Sequence, residues 1–412
     1  MFSIKGDIIH TPEKNRFDIH ESSYIFIDGG KVTEISPFPK KNIPVHDFTG
    51  SLIIPSFSDI HTHAPQYENM GIGYSLELLP WLENHTFPTE SKFSNQEYAA
   101  EIYKKFIHDL WLFGTFHSCV FATIFKASTD KLFDLFDRSR LYAYIGKVNM
   151  NRNSAKALTE TTENSVQDTF YFAEKYSSAS RVKFIVTPRF VPSVTAELMA
   201  KLADIAEKYD LPVQSHLNEN PSEIEWVKTL HPEADSFTQV YEHYGLLRKN
   251  KTIMAHSIHT SDKELEILKK YNTTIAHCPE SNMNLASGIM PLRKNLVHGI
   301  DVALASDISA GSSLDMRRQI VSCIQLSKLY HREHPEYAPL SLCESFYLAT
   351  KGSENFFTDT GSFEIGKSFD ALIIESENKT LPSAKRLEKF IYAADGKIIK
   401  RYLNGKELTF DL

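Results

Sequence analysis

Two patterns of apolar residues alternate through the middle of this 412-residue chain. Short runs rich in β-branched residues end in polar or glycine-containing segments, which is typical of buried strands. Between them lie segments of helical period; one of these, residues 194–209, places Leu198, Leu202 and Ile205 on one face. Another begins with Ser261 and Glu264 at the spacing of a helix-capping box. The strand-like runs number eight: LIIPSFSDIHTH, GTFHSCVFATI, LYAYIGKVNMN, RVKFIVTPRF, LPVQSHLNEN, KTIMAHSIHT, TTIAHCPESN and DVALASDISAG.

Strands that alternate with helices form parallel βα units, and eight such units predict an α/β fold with a closed (β/α)8 barrel of the TIM type. The two ends of the chain differ from the middle, because SSYIFIDGGKVTEIS near the start and SFDALIIES and FIYAADGKIIKRYLNGKEL near the end are short runs broken by turns. We therefore predict a small β-sandwich domain built from residues 1–54 and 360–412, and a barrel over residues 55–359. Two ordinary domains would also fit the length.

The amino-acid composition and net charge indicate which kinds of partner the protein does not bind. The chain is 42% hydrophobic and 24% charged, and its net charge of −7 is spread along the sequence. These values indicate a globular enzyme or binding protein without a nucleic-acid or membrane face. The N-terminus lacks the apolar region of a secretory signal. The four cysteines form no CxxC pair, so we interpret them as reduced thiols and expect a cytoplasmic protein.

Polar residues of the kinds used in catalysis stand where the predicted strands end. In a (β/α)8 barrel these ends surround one axis and form the active site. The convergence of residues about 250 positions apart in sequence is the strongest functional signal in the chain. These residues are His61, His63, Arg189, His216, Glu219, His256, His277 and Asp307.

His61 and His63 are two apart on one strand, so their side chains point to the same face. With His216 as a third nitrogen ligand and Asp307 as an oxygen ligand, they form the donor set of a catalytic zinc site. Asp307 can also take a proton from the metal-bound water. His256 is either a further ligand or, as we prefer, a group that hydrogen-bonds this water.

Glu219 follows His216 by three residues and is placed to carry protons between water and leaving group. Lys183 bears on the number of metal ions, because two-metal barrels generally need a bridging ligand such as a modified lysine on the fourth strand. Lys183 precedes Arg189 by six residues, roughly 20 Å along a strand. We therefore predict one ion per chain.

Several motifs resemble those of the amidohydrolase superfamily, in its deaminase and chlorohydrolase branch, and most specifically the members that deaminate guanine. The motifs are HTH, HAPQY, TFPTE, TPRF, SHLNE, AHSIHT and AHCPESN. The resemblance implies zinc-dependent hydrolysis of guanine to xanthine and ammonia by a homodimer. It implies zinc ligation by His61, His63, His216 and Asp307, proton transfer by Glu219, and water orientation by His256. It also implies purine binding by Gln66, Arg189 and Phe190, next to His216 and Glu219.

Other functions remain open at this stage. The same metal set would serve deaminases of S-adenosylhomocysteine, cytosine or pterin, and triazine chlorohydrolases; Gln66, Arg189 and Phe190 are the residues that discriminate. A barrel that only binds or assembles with a partner is an alternative of another class. Iron or manganese could occupy such a site in place of zinc. The absence of CxxC excludes the zinc deaminases of the non-barrel fold.

Overall fold

The structure is a computed structural model that describes residues 1–412 as a mixed α/β protein. The strands are β1 (Phe2–Glu13), β2 (Arg16–Asp28), β3 (Lys31–Ser36), β4 (Val45–Pro55), β5 (Phe57–His63), β6 (Thr115–Phe121), β7 (Tyr142–Gly146), β8 (Val148–Asn149), β9 (Val182–Phe184), β10 (Thr187–Pro188), β11 (Val213–Leu217), β12 (Thr252–His256), β13 (Thr274–His277), β14 (Asp301–Leu304), β15 (Ala371–Glu375), β16 (Lys397–Leu403) and β17 (Lys406–Glu407). The α-helices are α1 (Leu78–Trp81), α2 (Phe87–Ser91), α3 (Gln96–Phe113), α4 (Lys126–Ser139), α5 (Thr162–Tyr176), α6 (Ala196–Lys208), α7 (Pro221–Leu230), α8 (Phe237–His243), α9 (Asp262–Lys270), α10 (Pro279–Asn284), α11 (Leu292–Val297), α12 (Met316–Glu333), α13 (Leu342–Ala349) and α14 (Ser383–Ala393).

The middle of the chain contains two four-stranded parallel sheets, in the orders β5-β6-β7-β9 and β11-β12-β13-β14. Each of the eight predicted strand-like runs contains a strand of these sheets. At one edge the sheets are joined by a parallel bridge between Val186 and Val213. At the other edge the backbone N–H of Asp307 donates to the carbonyl of His61 at 2.9 Å. Hydrogen bonds therefore connect the two sheets at both edges.

The helices that alternate with these strands begin where their sequences predict. The side chain of Thr195 accepts a hydrogen bond from the backbone N–H of Leu198 at the start of α6. The predicted apolar face of α6, which includes Leu198 and Leu202, is buried. The predicted capping box of Ser261 and Glu264 is present at the start of α9. Local capping and apolar spacing thus agree with the tertiary packing of both helices.

Strands from both ends of the chain form one seven-stranded sheet in the order β17-β16-β15-β4-β1-β2-β3. The predicted β domain built from both termini is consistent with this sheet. One prediction within it is wrong: the run FIYAA ends the helix α14 rather than forming a strand. Leu387, Phe390 and Ile391 have helical spacing and are buried, so the apolar face of a helix outweighs the short strand-like run.

The seven-stranded sheet leads directly into the first strand that carries candidate site residues. β4 ends at Pro55 and β5 begins at Phe57, and between them the backbone N–H of Ser56 donates to the carbonyl of Asp370 at 2.9 Å. This connection ties β5 to the C-terminal part of the chain. None of the helices combines the length and the apolar character that crossing a lipid bilayer requires.

Candidate active site and metal centre

Four side chains predicted to bind a metal come together at the ends of β5 and β11 and after β14. The Nε2 atoms of His61 and His63 lie 3.2 and 3.3 Å from Oδ1 of Asp307. The Nε2 atom of His63 also lies 3.3 Å from Nε2 of His61 and 3.3 Å from Nε2 of His216. All four are buried or nearly so. The structure thus brings together the predicted set of three nitrogen ligands and one oxygen ligand.

The spacing of these four ligand atoms fits a small divalent ion. Ligands about 2.0–2.1 Å from a tetrahedral zinc ion lie about 3.3–3.4 Å from one another. Four separations match this value at 3.2 to 3.3 Å, namely those of His61 and His63 from Asp307, of His61 from His63, and of His63 from His216. The Nδ1 atom of His216 donates to the carbonyl of Arg189 at 2.6 Å, which directs its Nε2 lone pair towards the other ligands.

The protonation states also suit metal binding, which requires neutral imidazoles and a carboxylate. Burial lowers the pKa of His63 to about 4, against an opposing hydrogen bond to Asp307. Burial also lowers the pKa of His61 and holds the pKa of His216 well below its usual value. Burial alone would raise the pKa of Asp307, but hydrogen bonds from His61 and His63 outweigh it and hold that pKa well below its usual range.

Glu219 and His256 lie beside this cluster and face each other. The Nε2 atom of His256 is 3.3 Å from Oε2 of Glu219 and 3.7 Å from Oδ2 of Asp307. Burial, followed by the charge of Asp307, raises the pKa of Glu219 well above its usual value. Glu219 is therefore a carboxyl group that holds its proton, next to the carboxylate of Asp307. Two carboxyl groups whose pKa values are separated in this way suit an acid and a base.

The backbone at the ends of β12 and β14 adopts a conformation that non-glycine residues rarely use. His256 has a φ of 69° and Asp307 a φ of 48°, both in the left-handed region. Residues of this kind cluster at functional sites, where the surrounding structure holds them. Here Asp59 contributes to that support, because its carboxylate accepts the backbone N–H groups of His61 and Ser306 at 3.3 and 3.0 Å.

A cavity opens beside the cluster, with an empty volume of about 390 Å³ that includes the open space at its mouth. Both polar and apolar side chains line this cavity, as is typical of small-molecule sites. The residues that line it include the predicted substrate-binding residues and part of the segment after β5: His63, Gln66, Leu78, Trp81, Leu82, Arg189, Phe190, His216, Glu219, Glu223, Leu285, Asp307 and Ala310.

Gln66 and Arg189 meet at a third residue, Glu90, to which the sequence analysis assigned no role. Nε2 of Gln66 donates to Oε1 of Glu90 at 2.8 Å, and Nη1 of Arg189 donates to Oε2 of Glu90 at 2.6 Å. The guanidinium of Arg189 also lies over the ring of Phe87, 5.4 Å from its centroid. The available signal was the TFPTE motif, which contains Glu90 and was used only for the resemblance.

Two further neighbours of the cluster lacked an assigned role. The ring of Phe121, the last residue of β6, lies 4.8, 4.6 and 5.0 Å from the ring centroids of His61, His63 and His216. It therefore packs the ligand rings in place. Oδ1 of Asn282 lies 3.0 Å from Nδ1 of His256. Asn282 belongs to the AHCPESN motif, but nothing in the sequence indicated which histidine it contacts.

Two other residues lie apart from the ligand cluster: His277, a predicted strand-end residue, and Lys183, which we expected to be too distant to bridge two ions. His277 is buried at the end of β13, and burial followed by the charge of His256 lowers its pKa to about 3. His277 does not line the cavity beside the metal ligands. Lys183 lines a different cavity, together with His117 and Asp370, and its Nζ lies 5.4 Å from the ring centroid of Tyr144.

A second group of potential metal ligands, His10, Asp18 and His20, lies in the seven-stranded sheet. Nδ1 of His10 accepts the backbone N–H of Phe363 at 3.1 Å, so the proton of the neutral ring is on Nε2, which faces Asp18. Metal-binding histidines instead carry the proton on the nitrogen away from the metal. The hydrogen bond from Phe363 therefore argues against a metal site at His10.

Four metal-ligand side chains beside a carboxyl group of raised pKa, at the ends of parallel strands, are typical of metal-dependent hydrolases. The sequence profile described as "Amidohydrolase family" matches residues 52–408. The chain therefore belongs to the amidohydrolase family.

Three similar proteins illustrate the relationship. The chain is 36% identical to a guanine deaminase of Dictyostelium discoideum over 98% of each chain. It is 44% identical to a guanine deaminase from C. acetobutylicum whose crystal structure has guanine bound in the active site; the TM-score is 0.97 over 99% of this chain and 100% of that one. An atrazine chlorohydrolase from Arthrobacter aurescens, crystallised with zinc, has a TM-score of 0.87 at 18% identity over 100% and 95% of the two chains, which shows only a shared fold.

Proposed function

We propose that this chain is an enzyme that hydrolyses guanine to xanthine and ammonia. The observation that carries the proposal is the position of Gln66 and Arg189 in one cavity with His63, His216, Glu219 and Asp307. Metal ligands and a proton-carrying acid alone would serve many substrates. Gln66 can both donate and accept hydrogen bonds, which suits the N–H and C=O groups of a lactam, and Arg189 can only donate, which suits O6. Together they select an oxopurine. The guanine deaminases that share 36 and 44% identity with the chain support the same substrate.

The metal ion is zinc, one per chain, held by His61, His63, His216 and Asp307. Three nitrogen ligands and one carboxylate oxygen within 4.8 Å of one another support this choice. Zinc is present in the atrazine chlorohydrolase of the same fold. When bound, the ion lowers the pKa of a water molecule towards neutrality. Lys183 lies in a separate cavity from Asp307, which supports a single ion.

The chain's own residues move the protons of the reaction. Asp307 and His256 take the proton of the attacking water and direct its oxygen to C2 of guanine. Glu219, which holds a proton because of its raised pKa, donates it to N3 as the C2–O bond forms. Asp307 then passes the water proton to the amino group, and Glu219 takes back a proton from the new hydroxyl at C2, so that the C2–N bond breaks as the C2=O bond forms. The products are ammonia and xanthine, so the atoms of guanine and water are accounted for.

The remaining lining residues hold the base so that C2, rather than C6, faces the metal ligands. Arg189 donates to O6, Gln66 binds the lactam edge, and Phe190 packs on the ring. The segment after β5 covers the cavity, with Leu78, Trp81 and Leu82 among the lining residues. Their burial excludes water from the reacting atoms and strengthens the electrostatic interactions there.

Three further features complete the proposal. The two four-stranded sheets form one closed (β/α)8 barrel over residues 55–359, supported by the hydrogen bonds at both edges and by a buried cluster to which both sheets contribute, including Ile60, Ile185, Ile253 and Ala303. The β domain comprises residues 1–54 and 360–412 and has a sandwich architecture. The enzyme is cytoplasmic, as its unpaired cysteines suggest, and a homodimer, as its family resemblance implies; light scattering tests the dimer.

The decisive experiment follows guanine loss by ultraviolet absorbance with zinc-loaded protein, next to adenine, cytosine and S-adenosylhomocysteine. We expect turnover of guanine, its loss after chelation, and its return with zinc. Turnover of another base without guanine would keep the metal site and overturn the roles of Gln66, Arg189 and Phe190. Turnover of none of them, by protein shown to contain metal, would favour a binding or assembly function.

A further inference from the structure

The carboxylate of Glu90 joins the two side chains that face the polar edge of the substrate. Its Oε1 atom accepts from Nε2 of Gln66 at 2.8 Å and its Oε2 atom accepts from Nη1 of Arg189 at 2.6 Å. Glu90, Gln66 and Arg189 are each only 3% exposed. Glu90 itself is absent from the residues that line the cavity. It therefore stands behind Gln66 and Arg189 and contacts both, away from the cavity surface.

Hydrogen bonds extend from this carboxylate to both sides of the metal-ligand cluster. Oε1 of Gln66 accepts the backbone N–H of Ser309 at 3.2 Å, two residues after Asp307. On the other side, Nδ1 of His216 donates to the backbone carbonyl of Arg189 at 2.6 Å. Glu90 thus closes a chain of contacts from the loop after β14 to a metal ligand on β11. A displacement of its carboxylate would move both substrate-facing groups relative to the metal ligands.

We infer that Glu90 is a positioning residue that fixes how Gln66 and Arg189 bind the oxo edge of the base. A carboxylate only accepts hydrogen bonds, so it requires the NH2 group of Gln66 and thereby sets the orientation of that amide. One N–H and one oxygen lone pair of Gln66 remain for the base. Arg189 uses one of its five N–H groups on Glu90 and keeps the others for O6.

The charge of Glu90 has a second consequence for the substrate. An unpaired guanidinium buried in the cavity would be costly and would favour an anionic ligand. Paired with Glu90, Arg189 presents N–H donors without net charge, which suits a neutral purine. Glu90 thus determines specificity although it does not touch the base. This inference rests on the proposed function, because it names the part of that site that recognises oxygen at C6.

The test compares two bases that cannot lose an amino group. Hypoxanthine has O6 and the N1–H lactam, whereas purine lacks both. The ratio of their competitive inhibition constants against guanine measures recognition of the oxo edge separately from chemistry. The variants are Glu90→Gln, which removes the charge at nearly constant shape, and Glu90→Asp, which keeps the charge but withdraws the carboxylate by one methylene. Bound metal is measured for each protein.

We expect Glu90→Gln to raise the inhibition constant of hypoxanthine about tenfold or more, because loss of a polar partner costs about that factor in binding. The inhibition constant of purine should change little. KM for guanine should rise and the bound metal should stay at the wild-type level. Glu90→Asp should reduce the inhibition ratio by several-fold, and it keeps the inference testable if the Gln variant does not fold. An unchanged ratio in a folded variant, or equal weakening of both bases, would overturn the inference.

Asp7→Asn is the matched control, because Asp7 is a buried carboxylate on β1 that pairs with the buried Arg386 of α14. Its loss should lower stability without changing the inhibition ratio. A change in the ratio equal to that of Glu90→Gln would mean that any buried ion pair has this effect, and would also overturn the inference. If the wild-type protein does not turn over guanine, the proposed function itself is contradicted. If the wild type is active but the inhibition ratio is unchanged in the Glu90 variants, only the role of Glu90 is contradicted.

Discussion

Nε2 of His256 lies 3.3 Å from Oε2 of Glu219, and its other ring nitrogen lies 3.0 Å from Oδ1 of Asn282. Because Nδ1 contacts Asn282, Nε2 is the ring nitrogen that faces the carboxyl groups. Nε2 is also within 3.7 Å of Asp307. A carboxyl group of raised pKa, the Nε2 atom of a histidine and a carboxylate of lowered pKa thus lie together. This arrangement supports an orienting and proton-accepting role for His256 rather than metal ligation.

Replacing Glu219 by Gln should remove most of the activity and leave the metal in place. General acid catalysis contributes about 10²–10⁴-fold, and the amide introduced by this change would lack the acidic proton while keeping the shape. The measurement is kcat for guanine together with elemental analysis. Loss of metal from this variant would contradict the assignment of Glu219 as a proton carrier. Glu344→Gln serves as control, because Glu344 pairs with Arg293 away from the cavity, and its activity should match the wild type.

Replacing Arg189 by Ala should mainly weaken guanine binding. Leaving a buried acceptor without its donor costs about 1–3 kcal/mol, so the dissociation constant should rise roughly tenfold or more. Binding is measured by calorimetry on a Glu219→Gln background, in which turnover is slow. Arg317→Ala is the control, since Arg317 pairs with Asp315 outside this cavity. Unchanged affinity in Arg189→Ala would mean that Arg189 does not contact the base.

Elemental analysis of the purified protein should give one equivalent of metal per chain. Asp307→Asn should reduce the metal content and abolish turnover, because the amide provides a weaker, uncharged oxygen ligand. Added zinc in excess should restore metal more readily than activity, since the amide of this variant cannot accept the proton of water. Two equivalents that persist after removal of loosely bound metal would refute the single-ion site.

His10 should make the stability of the protein depend on pH. Burial lowers the pKa of His10 to about 4 from its usual 6.5. Below pH 6.5 the unfolded chain binds a proton that the folded chain does not, so stability is full above pH 6.5 and falls as the pH decreases towards 4. At about 1.4 kcal/mol per pKa unit, the contribution lost is about 3 kcal/mol.

His10→Asn tests this dependence, because its side-chain oxygen can still accept the N–H of Phe363. Urea unfolding at pH 7 and pH 4 should show a smaller loss of unfolding free energy in the variant than in the wild type, by about 3 kcal/mol. Parallel losses in the two proteins would mean that other groups cause the acid sensitivity.

Much of the candidate site was predictable, because the C-terminal ends of parallel strands in α/β folds lie together at one edge of the sheet. His61, His63, His216 and Asp307 each stand where a predicted strand ends, and the fold brings them together as that rule requires. Their chemical types then indicate a metal. Lys183 lies in a different cavity because it is several residues before the end of its strand-like run. Periodicity also predicted α6 and the capping of α9, since both depend on residues close in sequence.

Other features depend on contacts that sequence spacing does not determine. Leu387, Phe390 and Ile391 form a buried helical face within a run that also has strand character, and only packing decides between them. The contacts of Glu90 with Gln66 and of Asn282 with His256 join residues 24 and 26 positions apart that lie on different elements. No local periodicity sets the direction of such side chains.

The sequence by itself determined the alternation of strands and helices, the kinds of residue at the strand ends, and the metal-ligand set that these residues could supply. Tertiary structure decided which carboxyl group keeps its proton. The pKa of Glu219 rises through burial and the charge of Asp307, whereas hydrogen bonds from two histidines keep Asp307 ionised. Both are acidic residues after a strand, and only their three-dimensional surroundings separate an acid from a base.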